Sequence, residues 1–256
     1  MARKTIIVTG ASRGIGLAIA KKLLSEDANV VVQARDAEAL KKLQDEYHDQ
    51  VRILSGDMSN LDLPQRVVDL AVKEFGDLNG IIFNHGTMDP VCKIENTDIQ
   101  EWRKLFDVNF FSAVAFAKAA LPILRKNSGC ILLTSSGVST GAYSSWGAYG
   151  ASKAAMNQLA AQIACEEPDI TTLSVRPGVV DTDMQRNLRE VHSAVMAKKD
   201  NEKFIGLYES NQLLRPEQPG DVMAKIALDP PKALNGKYVN WEAVELEKYQ
   251  EKSFLG

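Results

Sequence analysis

Seven short apolar runs rich in β-branched residues punctuate this chain: TIIVT at 5–9, VVV at 30–32, VRIL at 51–54, IIF at 81–83, CILLT at 130–134, TLSV at 172–175 and a weaker KYVN at 237–240. Most are apolar at successive positions rather than alternate ones, the pattern of a strand buried on both faces. Between them lie amphipathic stretches: Leu17, Ala20, Lys21 and Leu24 with polar residues on the other face, then 39–47, 63–75, 102–124 and 149–165. Strand alternating with helix predicts an α/β chain, a parallel sheet with helices on both sides. No internal repeat and no Pro/Gly-rich linker interrupts the alternation as far as Pro177, so 1–256 reads as a single domain. Residues 183–215 break the rhythm with charge, Met and a helix-like stretch without a strand, as expected of a lid or substrate-binding loop inserted before the last strand.

Composition narrows the partners. With 256 residues, 45% of them hydrophobic, the chain is long enough for a substantial core. Its net charge of −3 and the lack of any Lys/Arg run longer than a pair argue against nucleic acid. The apolar start is only Ile6, Ile7 and Val8, and no later stretch is expected to span a bilayer, so a cytoplasmic, membrane-free protein is expected. Cys92, Cys130 and Cys165 suggest no disulfide framework, and His48, His85 and His192 lack metal-ligand spacing, so no metal is expected.

The first strand runs into TGASRGIG at 9–16 and then into a helix beginning near Ile15. Glycines there permit a tight turn and close approach of a pyrophosphate to the amides and positive dipole of a helix N-terminus. The spacing Gly10, Gly14, Gly16 differs from the usual G-x-G-x-x-G, and such a turn can also be purely structural. Arg35, directly after the second strand, and Arg13, inside the glycine loop, favour a ribose 2′-phosphate, hence NADP over NAD. Asp36 reads as the cap of the next helix, although an acid there also softens that preference. Asp57, with Met58 beside it, follows the third strand, and Asn84 and Gly86 follow the fourth, where ligand crevices of parallel sheets lie. Asp57 is thus a candidate for the adenine or, equally, a helix-start signal.

Tyr149 and Lys153 stand one helical turn apart, on a helix of small residues preceded by Ser135 and Ser136. Taken in order, TGASRGIG, GDMS, NHG, FDVNFFS, LLTSS, YGASK and RPGVVDT resemble the short-chain dehydrogenase/reductases over nearly the whole chain. The resemblance implies a doubly wound Rossmann fold with a seven-stranded parallel sheet, a nicotinamide cofactor, here NADP(H), and a catalytic set of Asn109, Ser136, Tyr149 and Lys153. In that set Tyr149 is the proton donor, with a pKa lowered by the Lys153 ammonium and an oxidised nicotinamide together, and Lys153 also holds the nicotinamide ribose. Ser136 donates to the carbonyl oxygen, and Asn109 anchors a water that feeds protons through Lys153. The bland alternatives are a cap for Ser136, a buried amide for Asn109 and a surface charge for Lys153. The implied cofactor set is Gly10, Ser12, Arg13, Gly14, Ile15, Gly16, Arg35, Asp57, Met58, Asn84 and Gly86. It continues through Tyr149, Lys153, Pro177 and Gly178 to Val180 and Thr182 at the carboxamide.

NHG departs from the family's usual Asn-Ala-Gly, so His85 either packs near the cofactor or is simply tolerated. Tyr143, Trp146 and Met184, with Ser136 and Tyr149, are expected to line a pocket suited to a bulky carbonyl compound, unless some of them pack on the lid or a neighbouring subunit. The motifs resemble most closely a subgroup related to sepiapterin reductase that includes fungal and bacterial benzil reductases. An NADPH-dependent reductase of ketones or diketones follows. The alternatives are an NAD(P)-linked alcohol dehydrogenase, a 3-oxoacyl reductase and an NADP(H)-sensing binding protein without turnover. A homodimer or homotetramer is expected from the family's habit of pairing the helices that carry Asn109 and Tyr149.

Overall fold

Parity along the strands dictates the layering. In Thr5–Thr9 (β1), Asn29–Ala34 (β2), Gly80–Phe83 (β4) and Cys130–Thr134 (β5), successive side chains point to opposite faces, and both faces are apolar. Ile6, Val8, Val30, Val32, Ile82 and Leu132 build one core, while Ile7, Val31, Ile81, Phe83, Ile131 and Leu133 build another. The chain is described by a computed structural model over residues 3–251. With Val51–Ser55 (β3), Thr171–Arg176 (β6) and Tyr238–Asn240 (β7), the strands form one parallel sheet of order β3-β2-β1-β4-β5-β6-β7.

Helices Gly14–Ser25 (α1), Ala37–Glu46 (α2) and Glu217–Leu228 (α9) cover the first face through Ile19, Leu23, Leu40, Val222 and Ile226. Leu63–Phe75 (α3), Ser112–Lys126 (α5) and Gly147–Glu166 (α6) cover the second through Val67, Phe116, Met156 and Ile163. The remaining helices are Ile99–Phe106 (α4), Asp183–Glu190 (α7) and Lys198–Glu209 (α8), so the segment before the last strand is helical, as its pattern predicts.

Three sequence expectations are corrected. The single helix foreseen over 102–124 is interrupted: α4 and α5 are separated by a π turn at Asp107–Phe111. Helix α9 was not foreseen, because its first turn, Glu-Gln-Pro-Gly, reads as a breaker; Pro219 sits in that turn, where a missing amide costs nothing. Ile99–Lys126 is also long and apolar enough, by composition alone, to cross a bilayer, contrary to the reading of the sequence. In the fold Ala113, Phe116, Ala120 and Leu124 are buried in the second core, and Leu105 is buried in the cluster with Trp146 and Tyr149.

Candidate active site

The strand order reverses between β1 and β4, and the two connections leaving that point diverge to open a crevice at the carboxyl ends of the strands. A cavity of about 1050 Å³ occupies it, continuous from Arg35 and Asp57 at one end to Tyr143 and Phe204 at the other. Every residue predicted for the site lines this cavity except Gly16 and Asn109. A Cβ on Gly16 would lie 2.2 Å from the Gly10 carbonyl oxygen, so this glycine serves the turn itself and not a ligand surface. Asn109 is 1% exposed and lies behind Gly86, whose Cβ would stand 3.3 Å from the Asn109 Oδ1 and 3.6 Å from the Lys153 Nζ.

At the phosphate end, Gly10 and Gly14 hold positive φ values of 66° and 54°, which favour glycine. Helix α1 receives no side-chain cap from Arg13, so its first-turn amides are offered to the cavity, a donor set that fits a pyrophosphate. Arg35 is exposed beside β2. Arg13 pairs instead with Asp183, the first residue of α7, at 2.7 Å, tying the start of that helix to the glycine loop. Asp36 caps α2 by accepting from the Ala39 amide at 3.0 Å. Asp57 accepts from the Ser59 amide at 2.8 Å, which together with the nearby Arg35 charge holds its carboxyl below the usual range. Asn84 ties the loop together, donating to the Gly10 carbonyl at 3.3 Å and accepting from Thr134 at 3.4 Å.

His85 has a definite structural position. Its Nε2 lies 2.9 Å from the Val108 carbonyl, which can only accept, so Nε2 carries the proton and Nδ1 accepts from the Thr9 hydroxyl at 2.7 Å. The Ser112 hydroxyl shares the Val108 carbonyl at 2.6 Å. Desolvation pushes the imidazole down to about 4, so it is neutral near neutrality and joins β1 to the π turn.

That π turn carries Asn109. Its Oδ1 accepts from the Thr87 amide at 2.8 Å, and its Nδ2 donates to the Thr87 carbonyl at 2.9 Å and to Ser152 at 3.1 Å. Both amide hydrogens are therefore spent on protein. On α6, Tyr149 and Lys153 are 7% and 3% exposed. The Lys153 ammonium donates to the Thr134 carbonyl at 2.7 Å and lies 5.7 Å from the Tyr149 ring centroid. Ser136, at the end of β5, lies within hydrogen-bonding reach of the phenol and is braced through its carbonyl by Ser139 at 2.6 Å and Tyr238 at 3.2 Å.

Protein groups alone do not lower the Tyr149 pKa, and the expected lowering falls to the oxidised nicotinamide acting with Lys153. Burial pushes the phenol up to about 12, only partly offset by Ser136, and pushes Lys153 down to about 8. At the far end, Tyr143 and Trp146 lie 4.9 Å apart between ring centroids, and Trp146 stacks on Phe204 of α8 at 5.5 Å. Phe204 and Leu188 were not singled out from the sequence, because only the folded lid brings them to the wall.

A doubly wound parallel sheet with a glycine turn at its switch point, and a Ser-Tyr-Lys group beyond it, defines a nicotinamide-dependent oxidoreductase. Residues 4–193 match the short chain dehydrogenase family, and the chain belongs to it. A benzil reductase ((S)-benzoin forming) of Saccharomyces cerevisiae is 39% identical over 262 residues, spanning 96% of this chain and 99% of that protein. The crystal structure of a short-chain dehydrogenase/reductase from the same yeast superposes with a TM-score of 0.95 at 40% identity, over 97% of this chain and all of the other. A second yeast structure, described as a cytoplasmic protein of unknown function, gives a TM-score of 0.83 at 38% identity over 97% of this chain and 100% of that one.

Proposed function

We propose that this protein is a cytoplasmic NADPH-dependent carbonyl reductase that converts a ketone, above all an aromatic diketone, into a chiral secondary alcohol. One observation carries the reading: a buried, protonated phenol, Tyr149, with the Ser136 hydroxyl in reach, borders a cavity walled by Tyr143, Trp146 and Phe204. The benzil reductase activity named for the yeast relative supports the diketone, and the cytoplasmic description of the second structure supports the location.

NADPH, when bound, supplies the hydride; α1 amides would hold its pyrophosphate, Arg35 its 2′-phosphate, joined by Arg13 once that side chain leaves Asp183, and Lys153 its nicotinamide ribose. Ser136 donates to the substrate oxygen and orients it. Tyr149, whose proton is held tightly by burial, gives it up as negative charge develops on that oxygen, so carbon gains hydride and oxygen gains a proton. The Lys153 ammonium, 5.7 Å from the ring, stabilises the resulting phenolate. Asn109 keeps the π turn and the Thr87 backbone in register behind Lys153, beside the route by which the phenol regains its proton.

The test is NADPH oxidation by the purified protein with benzil, an aryl-alkyl dione, sepiapterin, a 3-oxo ester and a simple aldehyde, with NADH as control. Turnover of the aromatic diones with NADPH preferred is the expected result. NADPH binding without turnover on any of them overturns it in favour of a sensing role.

A further inference from the structure

Helix α7 opens with Thr182-Asp183-Met184-Gln185, the spacing of a capping box, in which the glutamine side chain normally reaches back to the cap residue's amide. Half of that box is present: the Gln185 amide donates to the Thr182 hydroxyl at 3.4 Å. The reciprocal half is not. Gln185 is 6% exposed, and both its Nε2 and its Oε1 are buried without any hydrogen-bond partner. An unpaired buried amide costs about 1–3 kcal/mol, and a helix surface offers such a side chain several cheaper rotamers.

The position of this residue gives the orphaned amide a use. Gln185 lines the same cavity as Tyr149 and Ser136, between Met184 and the apolar Leu188. Two other residues lining the cavity carry similar atoms: the Trp146 Nε1 and one terminal nitrogen of Arg189 are buried without hydrogen-bond partners, although the Arg189 guanidinium also lies 3.9 Å from the centre of the Tyr208 ring. Around them the wall is aromatic and aliphatic, so the cavity's substrate end combines an apolar body with a few unsatisfied donors.

We infer that Gln185, by turning its unpaired amide from its buried position into the cavity, is a specificity-determining residue that recognises a second oxygen on the substrate, beyond the one that Ser136 and Tyr149 serve, and thereby selects aryl dicarbonyl compounds over the corresponding monoketones. This rests on the reductase reading above and extends it. An amide suits the task because Nε2 donates to the spectator carbonyl of a dione, which remains a carbonyl in the hydroxyketone product. A wall that leaves a polar group unpaired when the second oxygen is missing discriminates more strongly than one that merely fits shape.

The experiment compares wild type with Gln185→Leu and Gln185→Met, using NADPH with benzil and with deoxybenzoin, which carries a methylene in place of one carbonyl. Because intrinsic electrophilicity is common to all three proteins, the quantity read is the ratio of kcat/KM for the two substrates. The dione preference is expected to fall about tenfold or more in both variants, while Tm without substrate rises, since an unpaired buried amide has been removed. A purely structural glutamine gives the opposite pattern: a lower Tm and an unchanged preference, and that result overturns the inference. Wild type inert toward both compounds is instead a failure of the reductase reading. Having two variants of different shape guards against one that folds poorly, which NADPH titration and Tm reveal.

Discussion

Burial acts in opposite senses on the two titratable side chains spaced one turn apart on α6. It holds the Tyr149 proton on, up to about 12, and drives the Lys153 proton off, down to about 8. Tyr149→Phe removes the donor without altering the cofactor wall, so kcat is expected to fall about 10³-fold while NADPH affinity by fluorescence titration stays within about twofold. For Lys153 the sign runs against stability. The unfolded chain binds the proton up to 10.5 and the folded chain only to about 8, so the penalty is full below pH 8 and is relieved as pH rises toward 10.5. Lys153→Met therefore trades activity for a higher Tm at pH 7. The gain is about 3 kcal/mol at most, less about 1 kcal/mol for the Thr134 carbonyl left without its donor. In a pH series of melts the gain should fade above pH 8. His85 gives the complementary window: its pKa falls from 6.5 to about 4 on folding, so its contribution to stability is lost as pH drops through that interval. His85→Gln, which keeps a donor for Val108, should flatten the acid side of the Tm profile relative to wild type.

At the scale of elements, the strands were legible to within a residue or two, because a run apolar at successive positions has few other places to go. The breaks were not. Nothing in FDVNFF marks a π turn: all six residues are compatible with a continuous helix, and the extra residue per turn is stabilised by long-range hydrogen-bond partners, His85 and the Thr87 amide and carbonyl, that no local pattern reveals. Phe204 escaped for the same reason, since its partner Trp146 is 58 positions away. The glycine loop was legible in position but only partly in cause. Gly16 avoids a clash with the Gly10 carbonyl, so Gly16→Ala must displace the start of α1. Urea unfolding should show a loss of about 2 kcal/mol or more, with NADPH binding reduced in the surviving fold.

For the whole molecule, the expected dimer or tetramer turns on the surface around the π turn. Ile99, Phe111 and Val114 are 60%, 45% and 38% exposed, an apolar series continuous with the helices that carry the site. Phe111→Glu is expected to yield a monomer in sedimentation velocity if a second copy covers this face, whereas unchanged mass for both proteins removes these helices as the interface. A further consequence lies in the clasp between Arg13 and Asp183, a solvent-facing pair with Arg13 69% and Asp183 30% exposed. Its attraction is screened as the Debye length shrinks from about 30 Å at 0.01 M salt to about 8 Å at 0.15 M. The attachment of α7 to the glycine loop should therefore loosen as ionic strength rises even where every ligand is uncharged, a property that belongs to the clasp and not to the guest.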